Sequence, residues 1–138
     1  MTMTATPIFG QTPKLATCVA TGALTDLDDA PGSELQVLLT AGANGAAIYG
    51  AWGVPRATAT ATVLYLFVST DGGSTKRMVD AALAAADTLS TTDPPARVAF
   101  GAYSETTPLR VPAGAIVYFG ASVALSAGWV GCAAYLDF

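Results

Sequence analysis

The residues able to do chemistry in this chain are few, and most of them are acids. Asp26, Asp28 and Asp29 form one acidic cluster, and carboxylates at alternate positions are the way a loop begins to bind a hard cation such as calcium. An EF-hand loop, however, continues through a glycine to a distant Glu, and that continuation is missing, so the three acids read as a solvated loop held by Asx turns. Asp71, Asp80, Asp87, Asp93 and Glu105 are the other acids a glycoside-cleaving pair would have to come from; all sit in or beside turns, where acids serve solubility. Ser69, Ser74 and Ser90 have no histidine to activate them, because the chain contains none; the commonest general base, metal ligand and pH switch is therefore missing. The stretch Asp71-Gly72-Gly73-Ser74-Thr75-Lys76 lacks the Gly-x-x-x-x-Gly-Lys spacing of a phosphate loop and reads as a hairpin tip. No metal site, no cofactor site and no enzymatic activity are expected.

Two other residue classes could bind rather than react. Trp52, Trp129, Tyr49, Tyr65, Tyr103, Tyr118 and Tyr135 would supply a sugar platform or an oligomer interface if exposed, but single aromatics within strands ordinarily belong to the core. Cys18 and Cys132 lie near opposite ends of the chain and read as two small buried hydrophobes, with a bridge between terminal strands as the alternative.

Composition narrows the classes further. The 138 residues suit one domain, 52% of them are hydrophobic and only 12% charged, with a net charge of −4. No cationic cluster exceeds the pair Lys76-Arg77, which argues against nucleic acid as a partner. So uncharged a surface favours association with copies of itself or with a partner. Residues 1–10 show no basic region followed by an apolar core, so no secretory signal is read there. From Ala113 to Leu136 the chain runs 24 residues without a charge, long enough for a membrane helix. Four glycines in that span and the absence of flanking basic clusters favour instead two strands, Ile116 to Leu125 and Trp129 to Leu136, joined as a hairpin. No membrane partner is expected.

The elements that would carry these residues all read as β. Gly, Pro, Asn and Asp recur every ten to fifteen residues with β-type sequence between them. Strands are expected near Leu15 to Ala20, Glu34 to Thr40 and Ala46 to Gly53, with the Asn44-Gly45 turn between the second and third suited to a tight hairpin. Between Arg56 and Ser69, Ala57, Ala59 and Ala61 alternate with Thr58, Thr60 and Thr62 before an apolar run, so one face should be small and apolar and the other lined with hydroxyls. Thr75 to Val79 should return antiparallel after Asp71-Gly72-Gly73-Ser74. The segment Met78 to Asp87 has helix propensity around Ala81 to Ala86 but reads as a strand leading into irregular chain. Arg97 to Tyr103 is a further strand with Val98, Phe100 and Ala102 on one face, and Thr107 to Pro112 suits an edge or corner. About eight strands result, an all-β fold built as an antiparallel β-sandwich or barrel of jelly-roll type. Residues 1–13 form an N-terminal arm and residues 14–138 one β-sandwich domain.

In chain order, several of these motifs resemble a family of small virion structural proteins of tailed phages and prophages. Thr6-Pro7-Ile8-Phe9-Gly10-Gln11-Thr12-Pro13 is similar to that family's Pro-x-Phe-x-x-Thr-Pro start. Thr40-Ala41-Gly42-Ala43-Asn44-Gly45 resembles a recurring turn block, followed by a Thr-rich strand and Leu66-Phe67-Val68-Ser69-Thr70-Asp71-Gly72. Leu136-Asp137-Phe138 is similar to its Asp-Phe ending. The central strand departs from the pattern, with Ala-Thr repeats in place of a Gly and an Arg, so no contact of that Arg carries over. The resemblance implies a non-enzymatic capsid decoration or cement protein, assembled in the bacterial host cytoplasm and placed on the capsid surface. Its implied partners are the major capsid protein and copies of itself in a trimer or dimer. A receptor- or glycan-binding head spike or tail module is the alternative. The expected contacts are Pro7, Ile8, Phe9, Thr12 and Pro13 of the arm and the hydroxyl face carrying Thr58, Thr60 and Thr62.

Overall fold

The computed structural model describes residues 12–29, 34–101 and 103–138. Among them the chain forms nine strands and no helix: β1 Thr12–Ala20, β2 Gln36–Thr40, β3 Ala46–Pro55, β4 Thr62–Ser69, β5 Arg77–Ala84, β6 Val98–Ala99, β7 Leu109–Val111, β8 Ile116–Ala121 and β9 Trp129–Asp137. The Ala-rich run over residues 81–86 does not turn helical: β5 pairs with β4 along its length, and that ladder overrides local propensity.

Two antiparallel sheets result. The first runs β1-β9-β3 and is completed on the far edge of β3 by β6 and β7; the second runs β2-β8-β4-β5. β6 pairs with Trp52 and Gly53 and β7 with Ala46 to Ile48, so the two short strands are collinear pieces of one interrupted edge strand. Counted that way, eight strand positions lie in two sheets of four, and every connection but β4–β5 and the interruption itself crosses between sheets. This is jelly-roll order, in an open sandwich and not a closed barrel.

The crossings correct two expected hairpins. β8 lies between β2 and β4 while β9 lies between β1 and β3, so residues 122–128 form an arch between sheets, not a hairpin turn. Both strands are apolar on both faces and each takes a central position, which pairing as an isolated hairpin would deny them. β2 and β3 likewise part to different sheets. Gly45 has φ 86° but Asn44 does not have positive φ, so the primed two-residue turn that needs both is not formed.

Two expected strands are shortened. Residues 56–61 are loop apart from a lone bridge in which Ala59 exchanges both backbone bonds with Asp87 at 2.9 Å. Of Arg97 to Tyr103 only Val98–Ala99 is strand; Phe100 still donates its N–H to the Ala51 carbonyl at 2.9 Å, but Gly101 turns left-handed at φ 46° and ends the ladder. Ala102 lies outside the described residues.

The main core fills the space between the sheets, with Ile48, Leu64, Leu66, Phe100, Val117, Phe119, Trp129 and Ala133 all buried. Phe119 and Phe100 meet edge to face at 6.1 Å. Gly53 and Gly131 let the first sheet approach the Phe119 ring, since a Cβ on Gly131 would stand 2.6 Å from Phe119 Cγ. A second cluster, Leu24, Leu35, Tyr65, Phe67 and Tyr118, lies on the opposite face of the second sheet. There the chain between β1 and β2 supplies Leu24 and Leu35 as a cover, and Leu24 donates its N–H to the Ala121 carbonyl at 2.8 Å.

Candidate assembly surface

Five of the acids named from the sequence, Asp26, Asp29, Asp71, Asp80 and Asp87, are engaged in contacts within the chain. Asp26 accepts the Asp28 N–H at 3.1 Å, the expected Asx turn, while Asp29 pairs with Arg77 at 3.1 Å in an exposed ion pair. Asp71 organises the β4–β5 hairpin: its carboxylate accepts the Ser69 hydroxyl at 2.8 Å and the Thr75 N–H at 2.9 Å, and these bonds, that from Thr75 foremost, hold its carboxyl below the ordinary range. Asp87 accepts the Ala96 N–H at 2.8 Å, and Asp80 accepts the Tyr103 hydroxyl at 2.7 Å. Burial first, then that bond, pushes the Tyr103 phenol upward. Among the described residues no group of three or more Cys, Asp or Glu could hold a metal ion.

Both cysteines are free thiols. In the β1–β9 ladder Cys18 stands opposite Gly131 and Cys132 opposite Thr17. Successive side chains of a strand point to opposite faces, so Cys18 turns toward the core and Cys132 away from it. That alternation rules out the bridge left open by the sequence. Burial pushes the Cys18 thiol up to about 11 and also raises Cys132.

Aromatic residues offer little free stacking area. Trp129, Tyr65, Tyr118 and Tyr135 are buried. Trp52, half-buried on the outer side of the first sheet, is covered by the Arg97 guanidinium 3.9 Å from its ring centroid. Lys76 lies over Tyr118 at 5.1 Å, and Tyr103 is tied to Asp80.

The outer face of the first sheet is largely apolar, and its exposed part lies along β1. Trp129, Ala133 and Tyr135 of β9 belong to the core, so Val130, Cys132, Ala134 and Leu136 point the other way. Register sets Val54 and Trp52 of β3 beside Val130 and Cys132 on one side, and Val19, Thr17 and Leu15 of β1 beside Val130, Cys132 and Ala134 on the other. Leu15 is 66% exposed and Val19 39%. The result is a largely apolar face, interrupted by the Thr17 hydroxyl, with Arg97 stacked on Trp52 and Arg110 set beside Ala47 at its far edge. On the second sheet the chain covers the equivalent face with Leu24 and Leu35; on the first, Cys132 is buried and Val130, Ala134, Leu136, Trp52 and Val54 are half-buried, so the exposed part is Leu15, Thr17 and Val19 of β1. Exposed aliphatics continuous with such a face mark a surface that another chain can cover.

Of the expected contact residues, Pro7, Ile8 and Phe9 lie outside the described residues. Thr12 and Pro13, assigned to the arm, open β1 opposite Asp137 and Leu136. Thr58, Thr60 and Thr62 are brought together with Val123, Leu125 and Trp129 around a pocket of about 90 Å³ at one end of the sandwich. They do not form one hydroxyl face. Thr58 and Thr60 are exposed while Thr62 is buried, because β4 starts at Thr62 and the alternation restarts there. The Thr62 hydroxyl meets Ser122 Oγ at 3.0 Å and accepts the Val123 N–H at 3.0 Å, pinning the arch to the start of β4, while Thr58 accepts the Leu89 N–H at 3.1 Å and ties the loop to the segment after β5. At the other end a hollow of about 300 Å³ is lined by Asn44, Ala46, Arg110, Val111 and Phe138.

The apolar outer face was not singled out from the sequence, although its signal was present. In Val130 to Leu136 the residues alternating with core positions are themselves apolar, and a strand with one face in water would be polar there.

The sequence matches no protein-family model and no curated protein. Among solved structures, a chain of T=1 particles derived from infectious bursal virus aligns with 98% of this chain at 21% identity and a TM-score of 0.40. That alignment takes in 34% of the viral chain, so this chain spans about a third of its length.

Proposed function

We propose that the chain is a non-enzymatic structural protein of a tailed-bacteriophage particle, a decoration or cement protein that binds the assembled head through the major capsid protein and through copies of itself. The observation that carries this reading is the exposed row Leu15, Thr17 and Val19 along the edge strand β1, continuous with the half-buried apolar outer face of the first sheet. Support also comes from the jelly-roll order, an architecture shared by capsid and lectin domains, and from the motif resemblance that runs from Pro7 to Phe138. The mechanism is mass action: a protein that binds the mature lattice and not its dissociated subunits stabilises the lattice in proportion to its occupancy.

Quantitative mass spectrometry of purified particles tests this. Copies in number comparable to the capsid lattice positions support a decoration protein. A few copies per particle would move the chain to a spike or tail module, and absence would overturn the virion role.

A further inference from the structure

The four outer edges of the two sheets are not alike. β2 is five residues long and its pairing is broken by a bulge at Leu38, between Val37 and Leu39. β5 bulges at Val79, where Leu66 pairs with Asp80 and Phe67 with Met78. The fourth position is split into β6 and β7, of two and three residues. Short strands and bulges are the devices that keep an edge from recruiting another strand. β1 has neither. It runs nine residues in unbroken register with β9, from Thr12 opposite Asp137 to Ala20 opposite Trp129. Beyond that ladder, among the described residues, its backbone makes no further backbone bond.

Pro13 has no N–H to give, so the stretch of β1 free to pair is Lys14 to Ala20, centred on Thr17. Its single charge is neutralised within the chain: Lys14 Nζ is held 2.7 Å from Asp137 Oδ2. We infer that β1 pairs antiparallel with β1 of a second copy about a two-fold axis at Thr17, joining the two first sheets into one.

Charge and pattern both select a copy of the chain as the partner. Antiparallel pairing about Thr17 sets Leu15 against Val19 of the other copy and Thr17 against its own counterpart, aliphatic on aliphatic and hydroxyl on hydroxyl. Lys14 faces Ala20 of the partner strand, so the two lysines are kept apart. Shifting the register by one residue would set the outward row of one strand against the inward row of the other. The pairing is isologous and closes on itself, producing a dimer and not a fibre. It also joins the two largely apolar outer faces into one larger surface. The inference assigns a surface to the self-association named above and rests on that reading of the chain as an assembly subunit.

Sedimentation velocity on the full chain provides the test. The wild type should sediment as a dimer at micromolar concentration. In Leu15→Lys/Val19→Lys each lysine faces another across the axis, and the dissociation constant should rise roughly tenfold or more, with the far-ultraviolet spectrum unchanged. Leu15→Lys/Val19→Glu sets lysine against glutamate and should recover the dimer, which separates pairing from damage to the fold. In a Cys18→Ala/Cys132→Ala background, Thr17→Cys should cross-link to a covalent dimer on mild oxidation. A monomeric wild type, equal behaviour of the two charge variants, or a Thr17→Cys chain that does not cross-link would each overturn the inference. Absence from purified particles would overturn the virion role and leave these measurements standing.

Discussion

Adding one methyl group at Gly131 should destabilise the fold, and removing the Phe119 ring should make that methyl harmless. A Cβ on Gly131 would stand 2.6, 2.7 and 3.0 Å from Cγ, Cδ1 and Cδ2 of Phe119, inside any ordinary contact. The ring is fully buried and Phe100 abuts it edge-on at 6.1 Å, so it can retreat only by disturbing its neighbours. Overpacking of this kind costs about 2 kcal/mol, so Gly131→Ala should be destabilised by about that much. Phe119→Ala, which empties a fully buried site, should cost about 4 kcal/mol. With roughly 2.1 cal/mol/K of unfolding entropy per residue over 138 residues, each kcal/mol lowers Tm by about 3.5 °C, so the two variants should melt about 7 and 14 °C below the wild type. In the double variant the methyl enters the space the ring has left, and the combined loss should fall short of the sum by about 1–2 kcal/mol. Chemical denaturation followed by circular dichroism measures all four proteins. A neutral Gly131→Ala, or costs that add to within about 0.5 kcal/mol, would refute the packing of the two sheets across this glycine.

Three further outcomes follow from the same structure. Asp71 and Asp137 are both held below the ordinary carboxylate value of 3.8, Asp71 chiefly by the Thr75 N–H and Asp137 chiefly by Lys14. The unfolded chain therefore takes up these protons first, so the stability each contributes is complete above pH 3.8 and is lost as pH falls through the lower folded value. Asp71→Asn/Asp137→Asn should flatten that acid limb in denaturant midpoints measured against pH, and an unchanged limb would contradict the assignment. With its thiol pushed up to about 11, Cys18 should carry roughly one thiolate in three thousand at pH 7.5 and react slowly with a thiol reagent until denaturant is added; rapid labelling of the native protein would contradict its burial. Tyr103→Phe removes the 2.7 Å bond to Asp80 and should cost about 1–2 kcal/mol in thermal unfolding, a loss that Asp80→Asn, which keeps an acceptor, should only partly reproduce.

Much of this fold is written in local pattern, and the part that is not has a common cause. β3, β7, β8 and β9 begin within two residues of where Gly, Pro and apolar runs place them, and the Asp71-Gly72-Gly73-Ser74 turn makes the hairpin its residues suggest, with Gly72 and Gly73 both at positive φ. What local pattern does not carry is which sheet a strand joins. The turns at Asn44-Gly45 and Ser126-Ala127-Gly128 look like hairpin turns because the chain does reverse there, yet each reversal passes from one sheet to the other. A turn of the same composition serves both geometries; the choice is made by burial of the two-faced strands it connects. The same holds for the site. Thr58 and Thr60 alternate with a buried Ala59 as a strand would, but only one residue finds a ladder partner, so the hydroxyl row breaks before Thr62. The apolar outer face depends on register across three strands distant in sequence, β1, β9 and β3, and becomes visible only when they are assembled.

The most direct test of the central claim is add-back of the purified protein to phage heads assembled without it. Saturable binding in a fixed ratio to the major capsid protein, with a rise in the temperature at which the heads rupture, is the predicted result. Heads that take up none of the protein, or that bind it and rupture at an unchanged temperature, would contradict it.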